Sequence, residues 1–121
     1  MAIEFAIEDR RVADDVHLVA VAGEIDLFTA PEFKQRMGKP IEEGIDRLIV
    51  DLSATTFIDS SSLGVLIGAH RRLKQRNGSL VVVCDNDAIV KTFKITGLDG
   101  VFTLVRSVDD ALDGDAVGAG P

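Results

Sequence analysis

Tryptophan and tyrosine are absent from this chain, and its only aromatics are six phenylalanines, so any core built from it is aliphatic. Cysteine occurs once, at Cys84, which excludes an internal disulfide. At the end of an apolar strand that thiol reads as a small buried hydrophobe. No apolar run approaches the roughly 20 residues that span a bilayer. The segment Met1 to Asp9 carries early charge and lacks an apolar stretch flanked by Lys or Arg, so it does not read as a signal peptide. The cytoplasm is the expected compartment. Basic residues are in deficit, 13 against 20 acidic, for a net charge of −7. That balance argues against a role built on nucleic-acid phosphates or anionic membranes, and suits solubility and steering toward a basic protein partner.

What is present is an ordinary globular composition, 46% hydrophobic and 27% charged, in 121 residues. That length gives one domain, with a core but little room for a deep enzymatic cleft. Ile3, Phe5 and Ile7 alternate with polar or small residues as in a half-exposed edge strand, and a charged turn is expected from Asp9 to Asp15. Val16 to Ala22 reads as a more buried second strand closed by Gly23, so the two predict a hairpin. Thr29-Ala30-Pro31-Glu32 predicts a helix start with Thr29 as cap and Glu32 completing a capping box. Gly38 and Pro40 predict a kink or break near Lys39, and Gly44 an end.

Arg47 to Leu52 reads as a third strand, apolar on both faces, and Ser60 to Gln75 as a second helix stopped by Asn77-Gly78. Leu80 to Cys84 is a continuous apolar strand. A third helix follows, capped by Asp85 or Asn86 and ended by Gly97. Val101 to Val105 is a last short strand, and Ser107-Val108-Asp109-Asp110 opens a short final helix. The domain is expected over residues 1–112, with a frayed tail over 113–121. After the opening hairpin, helices alternate with strands. That order predicts an α/β fold of four or five strands and about four helices, the sheet mostly parallel, with helices enough to cover one face well.

The stretch with functional promise is Phe57-Ile58-Asp59-Ser60-Ser61-Ser62-Leu63-Gly64, where an apolar run ends in an acid and three hydroxyls at the mouth of the second helix. Unpaired N–H groups and the helix dipole favour negative charge there, so a serine in that place tolerates a phosphate. The plain alternative is a helix cap and nothing more. Nucleophilic catalysis is poorly supported: the G-x-S-x-G elbow is missing. Of the two histidines, His17 lies in a strand, and His70 lies roughly 12 Å from Ser62 along its helix at 1.5 Å per residue. Metal ligation has only Asp26, Asp51 and Asp59 as candidates, three acids expected near strand ends, and no recognised ligand spacing. No Gly-rich phosphate loop appears. Gly64 and Gly68 share one helix face, which is explained equally by close packing on the protein's own sheet and by a docked partner.

These residues resemble the STAS domain family, and within it the bacterial anti-sigma factor antagonists. Gly23-Glu24-Ile25-Asp26 is similar to the family's G-E-[IL]-D, with Thr29-Ala30-Pro31 opening the next helix. Asp51-Leu52-Ser53 with Phe57-Ile58-Asp59-Ser60 resembles D-L-S…F-[IM]-D-S, Leu63-Gly64-Val65-Leu66 resembles L-G-V-L, and Ile95-Thr96-Gly97-Leu98 resembles I-T-G-L. The resemblance implies a STAS-like mixed sheet and a non-enzymatic, cofactor-free, monomeric module. Such a module binds an anti-sigma factor, often a serine kinase with a GHKL-type ATP site, and frees the sigma factor. The kinase phosphorylates the serine after the motif's Asp, here Ser60, with Ser61 as rival, and a phosphatase reverses it. Asp26, Thr29, Asp59, Ser61, Ser62, Leu63 and Gly64 are the expected partner-binding residues. Ser62 departs from the family's usual Gly, with two expected consequences: a tighter helix start or an altered fit to the kinase. The competing readings are a STAS-like module sensing a small ligand or nucleotide, and a small serine hydrolase.

Overall fold

The apolar segments pair into one five-stranded sheet in the computed structural model, which describes residues 4–118. The strands β1 (Ala6–Ala13), β2 (Val16–Ile25), β3 (Arg47–Ile58), β4 (Ser79–Val83) and β5 (Thr103–Val105) lie side by side in chain order. β1 is antiparallel to β2, and every later pair is parallel, so the sheet is mixed. The helices are α1 (Ala30–Glu42), α2 (Ser60–Lys74), α3 (Asp87–Ile95) and α4 (Val108–Gly118), with one 3₁₀ turn at Leu98–Gly100.

Helical spacing sets what each helix buries. Phe33, Met37 and Ile41 recur every four residues on α1; Leu63, Leu66, Ala69 and Leu73 form the stripe on α2; Ile89 and Phe93 form it on α3. These stripes pack on Val19, Val21, Leu48, Val50, Leu52, Leu80 and Val82, which alternate onto one face of the sheet. The opposite face holds a smaller cluster of Val16, Leu18, Ile49, Val81 and Val83 beneath Ala111 of α4. Strands buried on both faces explain the continuous apolar runs of β3 and β4.

Several boundaries differ from expectation. The charged segment after Ile7 is strand, not turn: Asp9, Arg10 and Arg11 pair with Val19, Leu18 and His17, and the turn shrinks to Asp14-Asp15. An edge strand with a wet face accepts such charges. Asp9 is also anchored, accepting from His17 Nε2 at 2.8 Å and from the Arg36 guanidinium of α1. β2 and β3 run on to Ile25 and Ile58, past the expected ends at Ala22 and Leu52. The polar stretch Ser53-Ala54-Thr55-Thr56 is held in strand form partly by the buried Thr55 hydroxyl, which donates to the Val21 carbonyl at 2.9 Å.

α1 is unbroken through Pro40. The proline sits in the last turn, where its missing N–H deprives one carbonyl, and its own carbonyl accepts from Ile45 N–H at 3.0 Å. Gly97, at φ +78°, terminates α3 in the left-handed region. α4 extends beyond Asp113, where the tail is expected to begin; with Ser107 Oγ capping Asp110 N–H at 3.0 Å, each further residue adds a hydrogen bond. Residues 119–121 of that expected tail lie outside the described residues.

A Cβ built on Gly64 or Gly68 meets nothing within 4 Å, so packing on the sheet does not explain either glycine. Gly68→Ala is expected to stabilise the domain by about 1 kcal/mol and raise the melting temperature by about 4 °C, read by calorimetry. His70 packs edge-on against Phe102, ring centroids 5.3 Å apart, with Nδ1 buried and unpartnered among the described residues. Burial, with Lys74 adding to it, pushes its pKa below the ordinary 6.5. The folded state therefore resists a proton that the unfolded chain accepts, and the stability His70 contributes above that value is lost as pH falls below it. Thermal midpoints measured downward from about pH 6.5 should fall, and His70→Phe should flatten that fall.

Candidate functional site

Two chain segments leave the C-terminal edge of the sheet together, because Ile25 of β2 and Ile58 of β3 are register partners. After Ile58 a single residue, Asp59, separates β3 from α2. Its extended backbone and side chain cap the helix: Asp59 Oδ1 accepts from Ser62 N–H at 3.1 Å, and Ser62 Oγ accepts from Asp59 N–H at 3.2 Å. This is a complete capping box with serine in the place usually held by Glu or Gln. The Ser62 hydroxyl proton goes to the Ile25 carbonyl. One side chain thus closes the start of α2 and ties it to the end of β2.

After Ile25 the chain forms a second closure. Asp26 Oδ1 accepts from Phe28 N–H at 2.9 Å and Thr29 N–H at 3.1 Å. Thr29 Oγ1 accepts from Asp26 N–H at 2.8 Å and donates to the Glu24 carbonyl at 3.1 Å. Thr29 is the N-cap residue of α1 by position but makes no side-chain cap bond, contrary to the expected box with Glu32, because its hydroxyl is already spent inside the loop. Asp26 and Thr29 grip the loop from both ends and leave Leu27 and Phe28 at its tip, 69% and 89% exposed. Phe57, which the sequence places in a buried run, is 46% exposed one residue before Ile58.

The three serines separate sharply. Ser60 is exposed at the first helical position, Ser61 is half-buried, and Ser62 is fully buried at 0%. The Ser60 hydroxyl bonds to none of the described residues. Neither histidine bonds a serine: His17 is held by Asp9, and His70 by its contact with Phe102. Among the described residues no three His, Cys, Asp or Glu side chains form a group able to hold a metal ion, so Asp26, Asp51 and Asp59 do not converge as ligands. Burial pushes the Cys84 thiol above its ordinary value, which fits an inert core residue. What this rim can do is present one fully exposed hydroxyl, a second that is half-buried, a helix N-terminus and three apolar side chains.

The STAS domain family model matches residues 9–111. The chain belongs to the STAS domain family. The anti-sigma-B factor antagonist of Listeria monocytogenes is 36% identical over 117 residues, which cover 95% of this chain and 98% of that protein. The anti-sigma-B factor antagonist of Bacillus subtilis is 33% identical over 86 residues, 71% of this chain and 78% of that one. The crystal structure of an anti-sigma factor antagonist from Mycobacterium paratuberculosis matches with a TM-score of 0.79 at 35% identity, covering 93% of each chain. SpoIIAA in its unphosphorylated form shares the fold, with a TM-score of 0.74 at 18% identity over 93% of this chain and 99% of that one.

Within this STAS domain the expected contact residues divide. Asp26, Thr29, Asp59 and Ser61 are brought to one rim with Ser60, the expected phosphate acceptor, and Gly64 opens on the adjoining helix face. Ser62 is fully buried in the cap, and Leu63, 8% exposed, is mostly taken up by the core and offers a partner little side-chain surface. Of the two effects expected of serine at 62, the tightened helix start is the one the geometry displays. The residues that sequence reasoning passed over are Leu27 and Phe28. Their signal was an apolar pair between a turn acid and a helix-opening Thr-Ala-Pro, where turn chemistry calls for polar residues.

Ser62→Ala should cost about 1–3 kcal/mol in denaturant unfolding, because the Ile25 carbonyl and the Asp59 N–H both lose their partner. Ser60→Ala should stay within about 0.5 kcal/mol of the parent. Equal losses from both variants would contradict this division.

Proposed function

We propose that this STAS domain is an anti-sigma factor antagonist that binds an anti-sigma factor acting as a serine kinase, and that phosphorylation of Ser60 switches the complex off. The observation that carries the reading is the single exposed, unengaged hydroxyl at the N-terminus of α2, at the same edge of the sheet as the exposed Leu27, Phe28 and Phe57. The curated relatives named as anti-sigma-B factor antagonists support the same role. Release of a sigma factor, reversal by a serine phosphatase, action as a monomer and action in the cytoplasm belong to this proposal, as does the absence of catalysis by the chain itself.

The physical logic separates switch from scaffold. A phosphoryl group on Ser60 adds about −1.5 to −2 charges. The unpaired amides and dipole of α2 accept that charge, while Asp59 opposes it. The fold therefore survives phosphorylation. The effect falls on docking, where exposed apolar side chains would have to pack beside a group that resists desolvation. Ser62 is excluded as acceptor in the folded chain by its burial and its bond to Ile25. Ser61, half-buried, stays the rival.

Incubation of the chain with ATP and the cognate kinase, followed by peptide mass spectrometry, should place phosphate on Ser60. Ser60→Asp should leave the thermal midpoint nearly unchanged and weaken partner binding at least tenfold, about 1.4 kcal/mol. Phosphate on Ser62, or full binding by Ser60→Asp with a large loss of stability, would overturn the assignment.

A further inference from the structure

Between α1 and α2 runs an open groove of about 520 Å³ that meets the rim at Ser61 and Gly64 and extends away from it along both helices. Beneath it lie Met37, Ile41 and Ala69, whose side chains are already buried in the core, and half-buried Val65 supplies the apolar side chain that faces the opening. It is open because Gly64 and Gly68, four residues apart on one face of α2, carry no side chain and have no atom within 4 Å of where a Cβ would sit. Its edge is basic. Lys34, Arg71 and Arg72 line it, and Lys39 lines the adjoining depression, where Glu42 is the one acid. Arg72 lies 3.8 Å from that Glu42, a loose and largely exposed pair. In a chain of net charge −7 this is a local reversal of sign.

We propose that the groove docks an amphipathic helix of a protein partner, apolar on the inserted face and acidic along both flanks. The inference rests on the reading of the chain as a module that binds a regulatory protein, and supplies the chemistry of a second contact. Four features favour a helix of that character. The groove runs from Ser61 to Arg72, roughly 16 Å or about three helical turns. Two missing side chains let another backbone approach closely. The uncovered part of Val65 offers apolar surface to bury, and the cations select Glu and Asp on the incoming flanks while repelling Lys and Arg. The groove begins at Ser61, next to Ser60, so a helix seated in it continues the surface that the rim presents.

The test uses the full chain, isotope-labelled, and two synthetic helical peptides of about four turns with the same Leu face, one flanked by Glu and the other by Lys. The Glu peptide should shift the amide resonances of Lys34, Gly38, Gly64, Gly68 and Arg72, and bind more weakly as salt is raised. The Lys peptide should bind at least tenfold more weakly. Gly68→Leu places a side chain in the open groove and should abolish binding, with a melting temperature no lower than the parent's. Arg71→Glu with Arg72→Glu should remove the preference for the Glu peptide, which keeps the test valid if Gly68→Leu is poorly folded. Equal binding of both peptides, shifts confined elsewhere, unchanged binding by Gly68→Leu, or no binding would overturn the proposal. So would sedimentation showing that the chain fills the groove with a second copy of itself. None of these outcomes depends on whether Ser60 accepts phosphate, so the two proposals fail separately.

Discussion

The Ser62 hydroxyl makes two connections that the rest of the surface depends on. It accepts from Asp59 N–H, completes the box that starts α2, and donates to the carbonyl that ends β2. Buried at 0% exposure, it has no water to fall back on, so its bonds carry the full cost of desolvation if broken. Because Ile25 and Ile58 are register partners, this one side chain sets where the loop after β2 stands relative to the mouth of α2. The neighbouring Asp26–Thr29 closure then has a fixed base, and Leu27 and Phe28 stand exposed at the tip of a loop closed by its own hydrogen bonds.

That arrangement distributes roles among chemically identical residues. Ser60, Ser61 and Ser62 differ only in helical position, yet one is free, one partly covered and one locked. The free hydroxyl sits where added negative charge is tolerated by the backbone, next to apolar side chains for which such charge is a poor neighbour. Stability and recognition are thereby uncoupled at adjacent positions of one turn. The groove between α1 and α2 extends the same division along the helix: Leu66 and Leu73 serve the core, while Gly64 and Gly68 leave the other side open.

Much of the fold was legible because burial leaves local marks. Continuous apolar strands, four-residue stripes on α1 and α3, and the Asn86 cap, which accepts from Ala88 N–H at 2.9 Å, read directly from residue order. The misreadings share a cause. Asp9 to Arg11 looked like a turn because charge suggests solvent, but ladder bonds to β2 and the His17 and Arg36 contacts hold them in a strand. Pro40 looked like a break because its place in the last turn, and the Ile45 bond to its carbonyl, come from chain outside the local window. Thr29 looked like a cap because its competing partners, Asp26 N–H and the Glu24 carbonyl, depend on how the loop closes.

Residue order alone determined that strands and helices alternate, that the core is aliphatic, and that an acid and three serines open α2, since periodicity and composition are local quantities. Which serine is available was decided only by tertiary structure. The partner that removes Ser62 from the surface is a carbonyl 37 residues earlier in the chain. The same holds for the exposure of Leu27, Phe28 and Phe57 and for the emptiness beside Gly64 and Gly68. A hydroxyl or a glycine has no face of its own until the sheet brings distant backbone to it, or leaves the space beside it open.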